Sequence, residues 1–395
     1  MSIAPQHRIY ASFFLFAVTS GAMMSRLPDL QEHLGLTQGE LGLTLIAMSI
    51  GSLISLTLSA PLIGRLGARI TGLVTVLGTA ICFAIVPWMP NAYAVFAVLF
   101  VCGGLAGALE INLNVETDRL ESMTGKRFMS RAHGGWSLGF FVTALFGAAI
   151  RQAGIPIGWH LAMTSGLALI VGGTLLWGLV PAPARTDGHQ GETPKIAVPT
   201  WGLLPICIIG IAAFLCEGVS VDWSAIYMRD VFNAAPFVGG LGLTLFGGCM
   251  AVCRLAADPY ISHYGPRRVA ATLLSIATVG AVLVGFAPVD WLALVGFALL
   301  GIGCSAVYPL AVSAAAQRTD RPAAVNVAAL GQMAFVVFFL GPPLLGYVAQ
   351  YFGIRLSYLA VLPVIVIGLA LTRTLPTKYV PAPIGLDIEP ASPHG

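Results

Sequence analysis

Apolar residues fill this chain in long blocks rather than in the short amphipathic repeats of a soluble core. Twelve runs of about 20 mostly apolar residues lie near 9–28, 40–63, 70–88, 92–116, 130–151, 158–180, 202–227, 237–257, 269–287, 291–315, 325–349 and 355–375. Each is long enough to cross the hydrocarbon layer as a helix. Helices are expected because lipid offers backbone groups no partner, and a helix satisfies them within the segment. The pattern therefore predicts an all-α membrane protein with 12 transmembrane helices. One gap between runs is long and polar, Pro181–Thr200, and it divides six runs from six. The expected organisation is an N-terminal six-helix bundle at 1–180, a linker at 181–200, a C-terminal six-helix bundle at 201–375 and a Pro-rich disordered tail at 376–395.

The basic residues orient the spans. With the N-terminus placed inside, 16 of the 20 Lys and Arg fall on inner gaps and helix ends. The outer set is Arg26, Arg151, Arg229 and Arg355. This bias predicts both termini in the cytoplasm. The run beginning at Ile9 meets Arg26 and Pro28 rather than a small-residue cleavage site, so it reads as a retained first helix.

Composition narrows the function classes. Hydrophobic residues make up 57% of the chain and charged residues 9%, against about 25% charged in soluble domains. A soluble enzyme and a disordered chain are excluded on that ground. The net charge of +3 leaves no patch able to grip nucleic acid. Seven cysteines all lie in apolar runs without CxxC or metal-ligand spacing, so they read as small buried hydrophobes, and neither metal nor cofactor is expected. A Walker A loop and H-E-x-x-H are missing, and no G-x-S-x-G stands in a strand–helix context (Gly135–Gly139 fits the letters but lies inside an apolar helical run), which argues against ATP-driven pumping and against an enzyme.

The two halves repeat. Ala60–Arg69 (APLIGRLGAR) aligns with Asp258–Arg267 (DPYISHYGPR) at an offset of 198, matching Pro61/Pro259, Ile63/Ile261, Gly67/Gly265 and Arg69/Arg267. The same offset lays GGLAG from Gly103 over GIGCS from Gly301. Repeated halves are the architecture of alternating-access carriers, with the solute site between them.

Polar residues inside the runs are few, and each carries an insertion cost that asks for a reason. Gly103, Gly107, Glu110 and Asn114 share one helical stripe, pointing a carboxylate and an amide at a cavity or at a neighbouring helix. His133, Trp136, Ser137 and Phe140 share another, with His133 at a depth similar to Glu110. Glu217, Ser220, Ser224 and Tyr227 form a third, while Asp222 lies about 140° away and is expected near the outer end, paired with Arg26 or Arg229. Tyr308, the repeat equivalent of Glu110, and Gln332 complete the candidate solute-binding set. Arg26, Asp222, Arg65, Arg69, Arg119 and Arg254 are the gating candidates.

Twelve spans, a central loop and a basic Gly-containing turn after spans 2 and 8 together resemble the major facilitator superfamily. In the family turn G-x-x-x-D-R-x-G-R-R, this chain matches at Arg65, Gly67 and Arg69, with Gly64 in place of the Asp. The second copy matches at Gly265 and Arg267, with Ser262 in that place. Glu110-x-x-x-Asn114 resembles the E-x-x-x-N of fucose–proton symporters, although span 1 has no carboxylate before Asp29, where those proteins have an acid. Asn114-Val-Glu116, His133-Gly, Glu217-Gly with Asp222-Trp223, and Gly341-Pro342-Pro343 resemble the bacterial rhizopine-uptake (MosC-like) branch. The resemblance implies proton-coupled symport of a small polyhydroxylated solute such as a sugar, inositol or amino-polyol. Glu110, His133 and Glu217 would carry the proton coupling. It implies a monomer in the bacterial cytoplasmic membrane, with protons, the solute and the lipid bilayer as partners. The alternative on the same fold is a proton-driven exporter of amphipathic molecules.

Overall fold

The computed structural model describes residues 3–124, 129–181 and 197–378. Most of the expected linker, most of the tail, and Lys126 and Arg127 lie outside these residues. Among the described residues the structure is helical. The first half of the chain forms α1 (Pro5–Ser25), α2 (Leu27–Leu34), α3 (Gln38–Ile85), α4 (Ala92–Thr124), α5 (Met129–Gln152), α6 (Ile157–Leu167) and α7 (Gly173–Trp177), the last two joined through a π-helical turn at Ala168–Gly172. The second half forms α8 (Leu204–Phe232), α9 (Pro236–Tyr264), α10 (Pro266–Phe286), α11 (Asp290–Cys304), α12 (Val307–Ala316), α13 (Ala323–Phe352), α14 (Ile354–Ala360) and α15 (Leu362–Leu371). Ten helical segments among the described residues are long and apolar enough to cross a membrane. The other two apolar runs, 9–28 and 40–63, fall on α1 and on the first part of α3.

Local sequence explains the boundaries. Thr37 Oγ1 accepts from the Glu40 amide (3.3 Å) and the Glu40 carboxylate accepts from the Thr37 amide (2.9 Å), a reciprocal cap that starts α3. The 48 residues of α3 contain one break, at Gly67 (φ 75°, ψ 158°). Gly265, 198 residues on, separates α9 from α10 with nearly the same backbone (φ 83°, ψ 156°). Such positive φ suits glycine because a side chain would be strained there. Gly35 (φ 62°) and Asn233 (φ 48°), also 198 apart, both take the left-handed conformation that ends a helix.

Each half packs through small residues. Gly51 and Gly103 bring α3 and α4 to backbone contact, as Gly280 and Gly296 do for α10 and α11. The halves meet along α3 against α13 and α5 against α9, with α2 touching α8. Gly42 lies on the Pro342 carbonyl in the first of these seams, and Gly240 on Ala148 in the second.

Candidate functional site

Several polar side chains from the two halves lie near one another between them. On α4, Glu110 is exposed, and Asn114, one turn on, is half-buried. On α5, His133 is exposed and its Nε2–H donates to Asn114 Oδ1 (3.1 Å). The His133 ring leans on Phe13 of α1 (centroids 5.1 Å apart). Trp136 stacks on Phe140 (5.4 Å, 15°), giving this side a flat aromatic face. Across the cleft Tyr308 lies close enough to Glu110 for their charges to interact. These repeat equivalents, 198 residues apart, therefore approach the centre from opposite halves. Phe214 packs edge-on against both Tyr308 (4.3 Å) and Phe338 (4.8 Å). Arg254 on α9 lies within charge interaction of Glu217 on α8 and of His133 on α5.

The structure rearranges three expectations. Glu110 and His133, expected at similar depth, are not bonded to each other: the Asn114 carbonyl receives the His133 hydrogen bond, and Glu110 itself has no hydrogen bond among the described residues. The face of α8 also differs. Ser220, Ser224 and Tyr227 are fully buried in their own half, where Ser220 donates to the Cys216 carbonyl (2.8 Å) and Tyr227 to the Val284 carbonyl. The partly exposed face runs through Phe214, Glu217, Gly218, Val221 and Asp222 instead. Val221 packs on the cluster of Ala17, Phe140, Ala144 and Leu243, so this face looks toward α1 and α5. Gln332 is engaged elsewhere: its Oε1 accepts from the Ala197 amide (2.9 Å) at the end of the linker.

One end of the cleft is closed by charge. Arg26 forms an ion pair with Asp29, and Arg151 Nε donates to Asp29 Oδ1 (2.8 Å). Arg229 reaches across from the second half to Glu32 Oε1 (2.8 Å), Gln31 Oε1 (2.7 Å) and the Pro28 carbonyl (3.2 Å). Gln38 donates to Asp230 (3.3 Å), the Gly39 amide to Gln350 (3.1 Å) and the Phe237 amide to Gln152 (3.0 Å). Asp222, expected to pair with Arg26 or Arg229, has no ion pair among the described residues. It lies seven residues before Arg229 on α8, about 10 Å along the axis. The break at Arg26 meanwhile places Asp29 directly beside that guanidinium. Asp29, Gln31 and Glu32 were not singled out from the sequence. The only signal there was a polar, Pro-started segment after the first apolar run.

Among the described residues no such cross-link is seen at the opposite end. Arg119 Nη1 pairs with buried Glu116 (2.9 Å) within α4, and Arg69 lies over the Trp177 ring (4.8 Å) within the first half. Arg65 is exposed. Among the described residues, hydrogen bonds between the halves lie at the closed end, except for Ser49 Oγ to the Phe338 carbonyl (2.9 Å) part-way down the α3–α13 seam.

Sequence comparison agrees with this arrangement. The Major Facilitator Superfamily profile matches residues 9–221 and again 206–393. The chain belongs to the major facilitator superfamily. It is accordingly a multi-pass membrane transporter and not an enzyme. Among superfamily relatives, the uncharacterised transporter y4wD of Sinorhizobium fredii is 28% identical over 360 residues, covering 91% of this chain and 95% of that protein. The membrane protein MosC of Rhizobium meliloti is 25% identical over 358 residues, covering 90% and 86%. In fold, the chain is similar to the nucleoside transporter NupG (D323A mutant) with a TM-score of 0.78 at 13% identity, covering 94% of this chain and 100% of that one. It is also similar to the E. coli fucose:proton symporter FucP (N162A), with a TM-score of 0.63 at 17% identity and coverage of 93% and 98%.

Proposed function

We propose that this superfamily member is a secondary transporter that couples proton entry to symport of a small polyhydroxylated solute, a sugar, inositol or amino-polyol. It works as a monomer of twelve spans in the bacterial cytoplasmic membrane, with both termini inside. The observation that carries the reading is the cluster of Glu110, Asn114, His133, Trp136 and Tyr308 in a cleft whose halves are hydrogen-bonded together at one end. Hydroxyl-rich solutes suit it, because hydroxyls both donate and accept toward a carboxylate, an amide, an imidazole and a phenol. Trp136 offers a sugar ring a stacking face. A fold neighbour whose name states fucose:proton symport supports the coupling ion.

The basic-residue bias places the closed end outside, so this state faces inward. Rocking the halves would break the Arg229–Glu32 and Gln38–Asp230 links and close the opposite end around Arg119 and Arg69. Glu110 is the coupling group. A proton on it removes a charge from the cleft, and the loaded carrier then crosses while the half-loaded one does not. Glu217 and His133 would share the proton with it.

Purified protein in liposomes holding a pH-sensitive dye tests this. Addition of sugars, inositols and amino-polyols in turn is expected to drive proton movement with one class. Glu110→Gln is expected to abolish solute accumulation while retaining exchange. Accumulation at the wild-type level in Glu110→Gln would sink the coupling role. Proton movement driven only by amphipathic cations would favour export.

A further inference from the structure

Arg254 stands ten residues before the end of α9, about 15 Å into the helix. It lies three residues before the inner end of the apolar run 237–257, where a guanidinium facing the protein calls for compensation. Three arginines of the closed end have carboxylate partners, Arg26 and Arg151 on Asp29 and Arg229 on Glu32, while Arg355 is satisfied by the Gly285 and Ala287 carbonyls. Arg254 has none within ion-pair distance among the described residues. Its single hydrogen bond there runs from Nε to the Ser305 carbonyl (2.9 Å).

That carbonyl is free for a covalent reason. In a continuous helix it would accept from the residue four positions on, which is Pro309, a residue without an N–H. The chain accordingly breaks between α11 and α12 at Ser305–Ala306. The break holds the guanidinium by its stem-side nitrogen. Both Nη groups are left without hydrogen bonds among the described residues, and neither is fully buried. Around them stand Glu217 of α8 and Cys304 of α11 in the same half, and His133 of α5 from the other. A guanidinium anchored through Nε and open at its amino ends presents the two-pronged donor that fits a carboxylate.

We propose that Arg254 is a recognition site for an anionic group of the transported solute, which makes that solute a polyhydroxylated carboxylic acid of the sugar-acid class. This rests on the cleft being the transport site. It narrows the solute within that reading, since an amino-polyol would bring a cation toward Arg254. The hydroxyls would then face Asn114, His133 and Tyr308, and Arg254 becomes a specificity group rather than a gate.

The test uses the full chain in liposomes, with gluconate as the acid probe, sorbitol as the neutral one and glucosamine as the cationic one. Binding is read by thermal shift and coupling by the internal dye. Gluconate is expected to bind at least tenfold more tightly than sorbitol. Arg254→Gln should erase that preference and Arg254→Lys should keep part of it, with both variants checked for monodispersity. An unchanged gluconate preference in Arg254→Gln, or preference for sorbitol or glucosamine in the wild type, overturns the proposal. Proton-coupled uptake of sorbitol without any gluconate response removes the anion site and leaves the symport reading standing. Arg254-dependent gluconate binding without proton movement keeps the site and removes symport. Silence toward all three probes counts against both.

Discussion

Gly103 and Gly301 make the same contact 198 residues apart. Gly103 lies against the Met48 backbone and Gly301 against the Phe246 backbone, and Met48 and Phe246 are themselves 198 apart. A methyl group at either glycine would run into a main-chain carbonyl, which cannot swing aside as a flexible side chain would. Gly103→Ala and Gly301→Ala are each expected to lose about 1–3 kcal/mol, read as a lower apparent unfolding temperature in detergent. Gly104→Ala is the control, since its nearest neighbour is 3.7 Å away. An equal loss there would refute the close-packing account.

The His133–Asn114 bond is expected to set solute affinity. Removing one partner of a hydrogen bond typically costs about 0.5–1.5 kcal/mol, so His133→Ala should raise the KM for uptake roughly three- to tenfold at similar kcat. Asn114→Asp retains the Oδ1 acceptor and should lose less than Asn114→Ala. Equal effects of the two would show that the amide NH2, not the carbonyl, is the group that counts.

Arg229 holds the closed end shut from the second half. It is 22% exposed, so its links are screened, and about 1 kcal/mol is the expected scale. Arg229→Ala should shift the population a few-fold toward separation at this end. Spin labels at exposed His33 and Ala235 would report it as a longer-distance component. A distance distribution identical to the wild type would remove Arg229 from the gate.

A pH signature is expected from the loop before α13. Arg318 donates to Asp320 through Nη2 (2.9 Å) and Nε (3.1 Å), with Asn326 (3.1 Å) and Thr200 (3.0 Å) adding to it. These donors, Arg318 first, hold the Asp320 carboxyl well below the usual carboxylate range. A depressed folded-state value stabilises fully above the unfolded value of about 3.9 and is lost as pH falls through the folded one. The stability gap between wild type and Asp320→Asn should thus be constant from neutral pH to about 5 and shrink below about 4. A gap that widens on acidification would contradict the assignment.

The sequence by itself determined the helices and the glycine turns at Gly67 and Gly265, and it singled out most residues of the candidate site. Run length and apolarity are local properties, and so is the glycine requirement at Gly67 and Gly265. Glu110, Asn114 and His133 stood out because polar groups in apolar runs are rare. Tertiary structure alone decided which way the helices turn. Lipid and helix core are equally apolar, so the pattern on α8 could not tell the buried stripe of Ser220, Ser224 and Tyr227 from the open face of Gly218 and Asp222. The same holds for partners: Asp29 reaches Arg26 through a helix break, and the Ser305 carbonyl reaches Arg254 through Pro309 of another helix. The first pair is three residues apart and needs only the local break, but Arg151, 122 residues from Asp29, and Arg254, 51 residues from Ser305, are brought to their partners only by the packing of the helices.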